Sequence, residues 1–197
     1  MHNAAVFRPW SGYVFAGIVF LMSGTLIIQL IFEKDLHGTL TGIAWGSAIS
    51  WLAYLLFIRP KVTLFDEGIT ITNPFVEITV GWQAVEDIES RYCMSIVVGE
   101  RHIYAWAAPA PGRYHARTVH GSEIKGLNIG DNNSIRPGES PRTHSGVATH
   151  LAKLRWENFS GAADRQNCAN QVRFNTAGVV VLVASISAGL LLNATHF

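Results

Sequence analysis

The chain has 197 residues, of which 49% are hydrophobic and 15% charged, with a formal net charge of +1. An average soluble domain carries about 25% charged residues, so the composition argues against an ordinary soluble fold. So small a net charge gives no expectation of nucleic-acid binding, and Cys93 and Cys168, far apart and without a C-x-x-C pair, make neither a disulfide framework nor a zinc site.

The shortage of charge is concentrated in three windows. Tyr13 to Phe32 holds no charge and one amide, Gln29; Leu40 to Ile58 is uncharged; Phe174 to Asn193 is the third. A helix rises 1.5 Å per residue, so about 20 apolar residues cross a hydrocarbon core of about 30 Å. All three windows are therefore read as membrane spans, the third with Asn175 and Thr176 at the interface. Buried core helices are the alternative, but the chain between the windows is too short and too polar to surround three of them. The first window has no basic run before it and no A-x-A site after it, so it is not expected to be a cleaved signal.

Basic residues near span ends set orientation. Arg59 and Lys61 follow the second window, and Arg165 and Arg173 precede the third, while the tail Ala194-Thr195-His196-Phe197 has no lysine or arginine. The expected protein is a multi-pass plasma-membrane protein. Its amino terminus (with Arg8) and central region are cytoplasmic, and its carboxyl terminus is outside. Trp10, Tyr13, Phe32, Phe57 and Phe174 lie near the expected boundaries, as an aromatic belt does. Pro60 is expected to stop the second helix and to push Arg59 out of helical geometry.

Within the second window Gly38, Gly42, Gly46 and Ser50 recur every four residues, a groove that lets another helix approach closely. Packing within the chain, against the first or third span, is the favoured reading. An interface with another subunit is the sharper one.

From Val62 to Trp106 the period changes to two. "VTLF" faces "ITIT" across the turn Asp66-Glu67-Gly68, where Gly68 is expected to supply an awkward dihedral; Asn73-Pro74 turns into "FVEITV". "GWQAVEDIES" reads as a short helical turn feeding a strand, and "RYCMSIVV", Gly99-Glu100 and "RHIYAWAA" as a hairpin. The expectation is five or six short strands in a strongly bent antiparallel sheet.

The strand pair around D-E-G-I-T, the N-P turn, G-W-x-x-V-E-D-I and A-W-A-A-P-A-P-G-R resemble the pleckstrin-homology-like (PH-like) domains of small actinobacterial membrane proteins. That group is described by the PH domain of low molecular weight protein antigen 6. The resemblance spans roughly Arg59 to Arg113, about a quarter of the chain, and the plan of two spans before and one after is similar too. It implies a PH-like roll in a membrane-associated protein with no established activity. Specific phosphoinositide binding is not expected. That mode needs Lys and Arg in the first hairpin loop, which here holds Asp66 and Glu67.

Glu86, Asp87 and Glu89 are read first as a solvated acidic face, and Trp82 and Trp106 as core residues. The sharper reading makes these five a partner-binding surface. His102 is read as a surface pair with Glu100. Residues 112–146 are expected to be a linker. From Arg113 to Arg142 they carry five basic and three acidic residues, a net +2 that is too small for strong anchoring to lipid. A helix is expected over 147–168, with Val147, Leu151, Leu154 and Asn158 on one side and Ala148 and Trp156 nearby. It either docks on the sheet, the favoured reading, or lies on the membrane interface with Trp156 as anchor.

No G-x-S-x-G elbow, H-E-x-x-H, P-loop or G-x-G-x-x-G is present, and His115 and His120 have no carboxylate at ligand spacing. No catalytic residue, cofactor or metal is expected. The expected architecture is three transmembrane helices with a cytoplasmic PH-like β-roll at 59–111 and an amphipathic helix. The expected function is a non-catalytic scaffold or accessory subunit in the lipid bilayer, with another membrane protein or a second copy as partner. The alternative is a small membrane enzyme or transporter component. That reading needs polar residues within the spans, where only Gln29 and a few hydroxyls qualify.

Overall fold

In a computed structural model of the chain, residues 3–90, 93–109, 144–161 and 168–195 are described. The element order is β1 (Ala5–Phe7), α1 (Trp10–Phe32), α2 (Leu36–Ala53), a π-helical turn (Tyr54–Ile58), β2 (Lys61–Phe65), β3 (Gly68–Thr72), β4 (Val76–Gly81), a 3-10 turn (Trp82–Ala84), β5 (Asp87–Glu89), β6 (Cys93–Val98), β7 (Arg101–Pro109), α3 (His144–Gly161), β8 (Gln171–Phe174) and α4 (Thr176–Ala194). The chain divides into two units: Met1–Pro9, Lys61–Asn73 and Glu77–Arg173 form one, Trp10–Pro60, Pro74–Val76 and Phe174–Phe197 the other.

In the second, helical unit, three helices are long and apolar enough to cross a membrane: Trp10–Phe32, Leu36–Ile58 and Thr176–Ala194. They lie close to the three expected windows. The small-residue stripe of α2 packs on α1. A Cβ added at Gly42 would meet Leu30 Cδ1 at 2.5 Å, and one added at Gly46 would meet Ile27 Cδ1 at 2.9 Å. Gly38 instead lies against the Asp35 side chain one turn before it, and Ser50 is half-buried. Side chains of α1 thus lie against Gly42 and Gly46, the within-chain packing favoured from the sequence.

A second contact, invisible in the sequence, joins α2 to α4. Trp51 Nε1 donates to the Gly178 carbonyl at 2.8 Å, and the Trp45 ring covers Gly189, where a Cβ would come within 2.9 Å of it. Pro60 does end the second helix, but Arg59 keeps helical dihedrals, φ −64° and ψ −40°, a correction to the sequence expectation. The last turn widens instead: the Arg59 N–H donates to the Tyr54 carbonyl, five residues back, at 2.9 Å. The Arg59 guanidinium donates to the Pro74 carbonyl at 3.1 Å. At the start of α4, Asn175 caps the helix by accepting from the Gly178 N–H at 3.2 Å, and its own N–H donates to the Phe75 carbonyl at 2.8 Å.

The other unit contains two antiparallel sheets. One has the order β1-β2-β3-β4-β8, the other β5-β6-β7. β2 and β3 join through Asp66-Glu67, with Phe65 opposite Gly68. Gly68 is required for space rather than for its dihedral, since a Cβ there would run into the Val80 carbonyl on β4. Among the described residues, the left-handed glycine is Gly99 (φ +57°), in the turn between β6 and β7.

Alternation sends Val62, Leu64, Ile69, Ile71, Ile88 and Ile96 into one core, which Trp82 also enters, its Nε1 donating to the Phe65 carbonyl at 2.9 Å. α3 covers this core. It runs His144–Gly161 rather than 147–168; residues 162–167 lie outside those described, as does most of the expected linker, at 110–143, with His115 and His120.

The face that α3 buries is not the expected one. Ala148, Ala152 and Phe159 enter the core with Trp156 against it, while Val147, Leu151 and Leu154 are exposed. Small side chains bring the helix closer to the sheet than leucines would, and that wins over the larger stripe.

β1 and β8 were not expected. Ala5, Val6 and Phe7 stand opposite Leu64, Thr63 and Val62, so the segment before α1 is a sheet strand rather than a tail. Arg155 of α3 holds it in place, donating to the Asn3 carbonyl at 2.9 Å and to Asp66 Oδ1 at 2.8 Å. The chain entering β8 is held by the end of β4 and the 3-10 turn after it: Gln83 Nε2 donates to the Cys168 carbonyl at 2.6 Å, and Asn170 Oδ1 accepts from the Gly81 N–H at 3.1 Å.

Candidate interaction surface

The three-stranded sheet has a core face and an outer face, and register decides which residues share each. Asp87 stands opposite Val97, and Val97 opposite His102; Glu89 stands opposite Ser95, and Ser95 opposite Tyr104. Directly opposed residues point to the same side of a sheet. Ile88, Ile96, Ala105 and Ala107 take the core side. Asp87, Glu89, Ser95, Val97, His102 and Tyr104 therefore take the outer side, where Ser95 is covered between Glu89 and Tyr104, and Trp106 joins them by its exposure.

The outer face joins acids to aromatic rings. Tyr104 is 54% exposed and Trp106 56%. The His102 ring stacks on Tyr104, centroids 6.2 Å apart. His102 Nδ1 lies 4.0 Å from Glu89 Oε2, so the acid beside His102 is Glu89 across the strands and not Glu100 in the turn. Asp87 Oδ1 accepts from the Ile88 N–H at 2.7 Å, and Glu86 Oε1 accepts from the Gly99 N–H at 3.2 Å.

β7 is an edge strand of its sheet, and one side chain occupies that edge. Asn73 Nδ2 donates to the Tyr104 carbonyl at 2.8 Å, while Asn73 Oδ1 accepts from the Trp106 N–H at 2.9 Å. The asparagine does for two residues what a neighbouring strand does, and it fixes the backbone from which both rings project.

Of the five sequence-predicted surface residues, Trp82 is a core residue, 1% exposed, and presents nothing to a partner. Trp106 is corrected the other way. Ala105 and Ala107 fill the core on either side of it, and alternation turns the ring outward. Asp87, Glu89 and Trp106 share the outer face; Glu86 lies beside it at the start of β5. His102 and Tyr104 were missed as members. Their signal was the period-two series His102, Tyr104, Trp106, set between Ile103, Ala105 and Ala107.

Burial pushes the Cys93 thiol up and so disfavours the thiolate, an effect partly offset by a hydrogen bond with the Ala105 backbone. Among the described residues, no group of three or more His, Cys, Asp or Glu side chains could hold a metal ion. Comparisons with protein-family models, curated proteins and solved structures find no match to this chain.

Proposed function

We propose that the chain is a non-catalytic, membrane-anchored interaction module, a scaffold or accessory subunit whose sheet domain lies at the cytoplasmic surface. The observation that carries this reading is the pairing of β1 with β2. The apolar helices α1 and α2 lie between these two strands in the chain. A strand on each side of the hairpin can join one sheet only if both ends of the hairpin emerge on one side of a bilayer. Two spans satisfy that condition, and α4 then carries the carboxyl terminus across. Arg8, Arg59, Lys61 and Arg173 all flank the sheet-side ends of the helices, which favours the cytoplasm for that side.

A PH-like domain is the reading that the two antiparallel sheets and the covering helix α3 support. The sheet domain is tied to the helices by very short links: Pro60 follows the Arg59 cap, and Asn175 alone separates β8 from α4. Such tethering raises the effective concentration of the module toward any partner in the same membrane.

The test has two parts. A membrane-impermeant maleimide applied to intact cells should label a cysteine placed at Phe197 and spare one placed at Gly99; the reverse pattern sinks the topology. Mild-detergent or nanodisc isolation of the tagged chain should recover one stoichiometric membrane partner or a second copy. Recovery of the chain alone as a monomer removes the scaffold reading.

A further inference from the structure

We infer that the outer face of β5, β6 and β7 docks a basic segment of a partner protein. Arginine or lysine side chains of that segment lie over Tyr104 and Trp106 and pair with Asp87 and Glu89. The inference rests on the interaction-module reading and names the chemistry of the partner.

Charge selects the occupant. The residues that the three strands turn outward include two carboxylates and no lysine or arginine, because Arg101 lies one residue out of phase with His102 and Tyr104. An anionic segment or lipid headgroup would meet Asp87 and Glu89 and be repelled. A neutral, proline-rich segment would use the rings and leave the carboxylates uncompensated. A cation satisfies both features: it is attracted to the face of an aromatic ring, and a guanidinium pairs with a carboxylate through charge-assisted hydrogen bonds.

The face is also prepared for binding. Asn73 pins the backbone at both Tyr104 and Trp106, His102 stacks against Tyr104, and the Ile88 N–H fixes one Asp87 oxygen. Groups already held in place lose less freedom when a partner arrives. Exposed tyrosine and tryptophan beside acids are the residue types that anchor interfaces, and core packing does not account for them: the alanines between them fill that role.

The test uses the full chain in nanodiscs of phosphatidylcholine, with empty nanodiscs as control. Three fluorescein-labelled nonapeptides are compared by anisotropy: alternating Arg-Ser, alternating Glu-Ser and alternating Pro-Ser. The expected result is binding of the Arg-Ser peptide alone, weakened by salt. The double substitution Asp87→Asn with Glu89→Gln should lower its affinity about tenfold, as should Tyr104→Leu with Trp106→Leu. Leu151→Ser, on the exposed side of α3, should leave it unchanged. The inference is overturned if no peptide binds, if the Pro-Ser peptide binds as well as Arg-Ser, or if the carboxylate variant binds Arg-Ser like the parent while melting at the parent's temperature. A membrane partner that co-purifies equally with the carboxylate and aromatic variants overturns this inference and leaves the module reading standing. Isolation of a monomer without a partner removes the module reading itself.

Discussion

The two units of this molecule are packed by opposite rules. In the helical unit most buried positions are small, among them Gly12, Ala16, Ala44, Ala48, Gly178 and Gly189, with Leu55 a large exception, while Leu21, Val180 and Leu191 are 65–69% exposed. In the sheet unit the large side chains are inside: Trp82, Ile69, Ile71, Ile88 and Ile96 are all at 0–1%. Water drives the second arrangement, since each buried isoleucine or tryptophan removes apolar surface from solvent. It would penalise the first. In a hydrocarbon solvent the drive between helices disappears, and close backbone approach over small residues takes its place. On the proposed membrane placement, the two packing patterns correspond to two solvents.

The sharpest way to break that contrast is to cut a large residue from the sheet core. Trp82→Ala should cost about 3–5 kcal/mol, because it opens a cavity and leaves the Phe65 carbonyl without its donor. Trp106→Ala should change stability by no more than about 0.5 kcal/mol. Thermal melts of the solubilised chain distinguish the two, and equal losses would dissolve the assignment of inside and outside.

The reverse experiment enlarges a small residue in the helical unit. Gly189→Leu drives a side chain into the Trp45 ring and should cost about 1–3 kcal/mol. Gly17→Leu, on α1 where nothing lies within 4 Å, should be neutral. If both are tolerated alike in detergent, close helix packing is not what organises this unit.

Asn73→Ala sharpens the contrast at the sheet edge. It removes both hydrogen bonds to β7 and should cost about 1–2 kcal/mol, with faster hydrogen exchange at the Trp106 amide. Unchanged exchange there would mean that the asparagine does not hold the edge. A smaller effect than at Asn73 is expected at Arg155→Gln. Its ion pair with Asp66 is partly exposed, so the loss should stay below about 1 kcal/mol and shrink in salt.

The sequence disclosed the parts of the fold that depend on local pattern. Uncharged windows marked α1, α2 and α4 to within a few residues, and period two marked the strands from β2 to β7. What it concealed depends on distant partners. β1 has three residues and β8 four, too few to alternate, and each exists because another strand offers an edge. Trp45 and Trp51 gave no sign that they meet Gly189 and Gly178, more than a hundred residues away. The apolar stripe of α3 was visible at the right spacing but was the wrong one. Summed hydrophobicity favours leucines, whereas the sheet selects alanines that allow close approach. For the outer face of β5–β7, acids and Trp106 stood out by composition. His102 and Tyr104 became part of it only through register.

The pairing of Ala5–Phe7 with β2 also has a consequence for biogenesis. β1 is synthesised first and then waits while both helices of the hairpin emerge, because its partner residues follow the second helix. On the proposed membrane topology, a copy in which α1 inserts and α2 stalls would leave β1 and β2 on opposite sides of the bilayer, with an open edge on β2. On the proposed topology, closing the sheet therefore requires that both helices of the hairpin be threaded, so a β1–β2 pairing would report correct insertion.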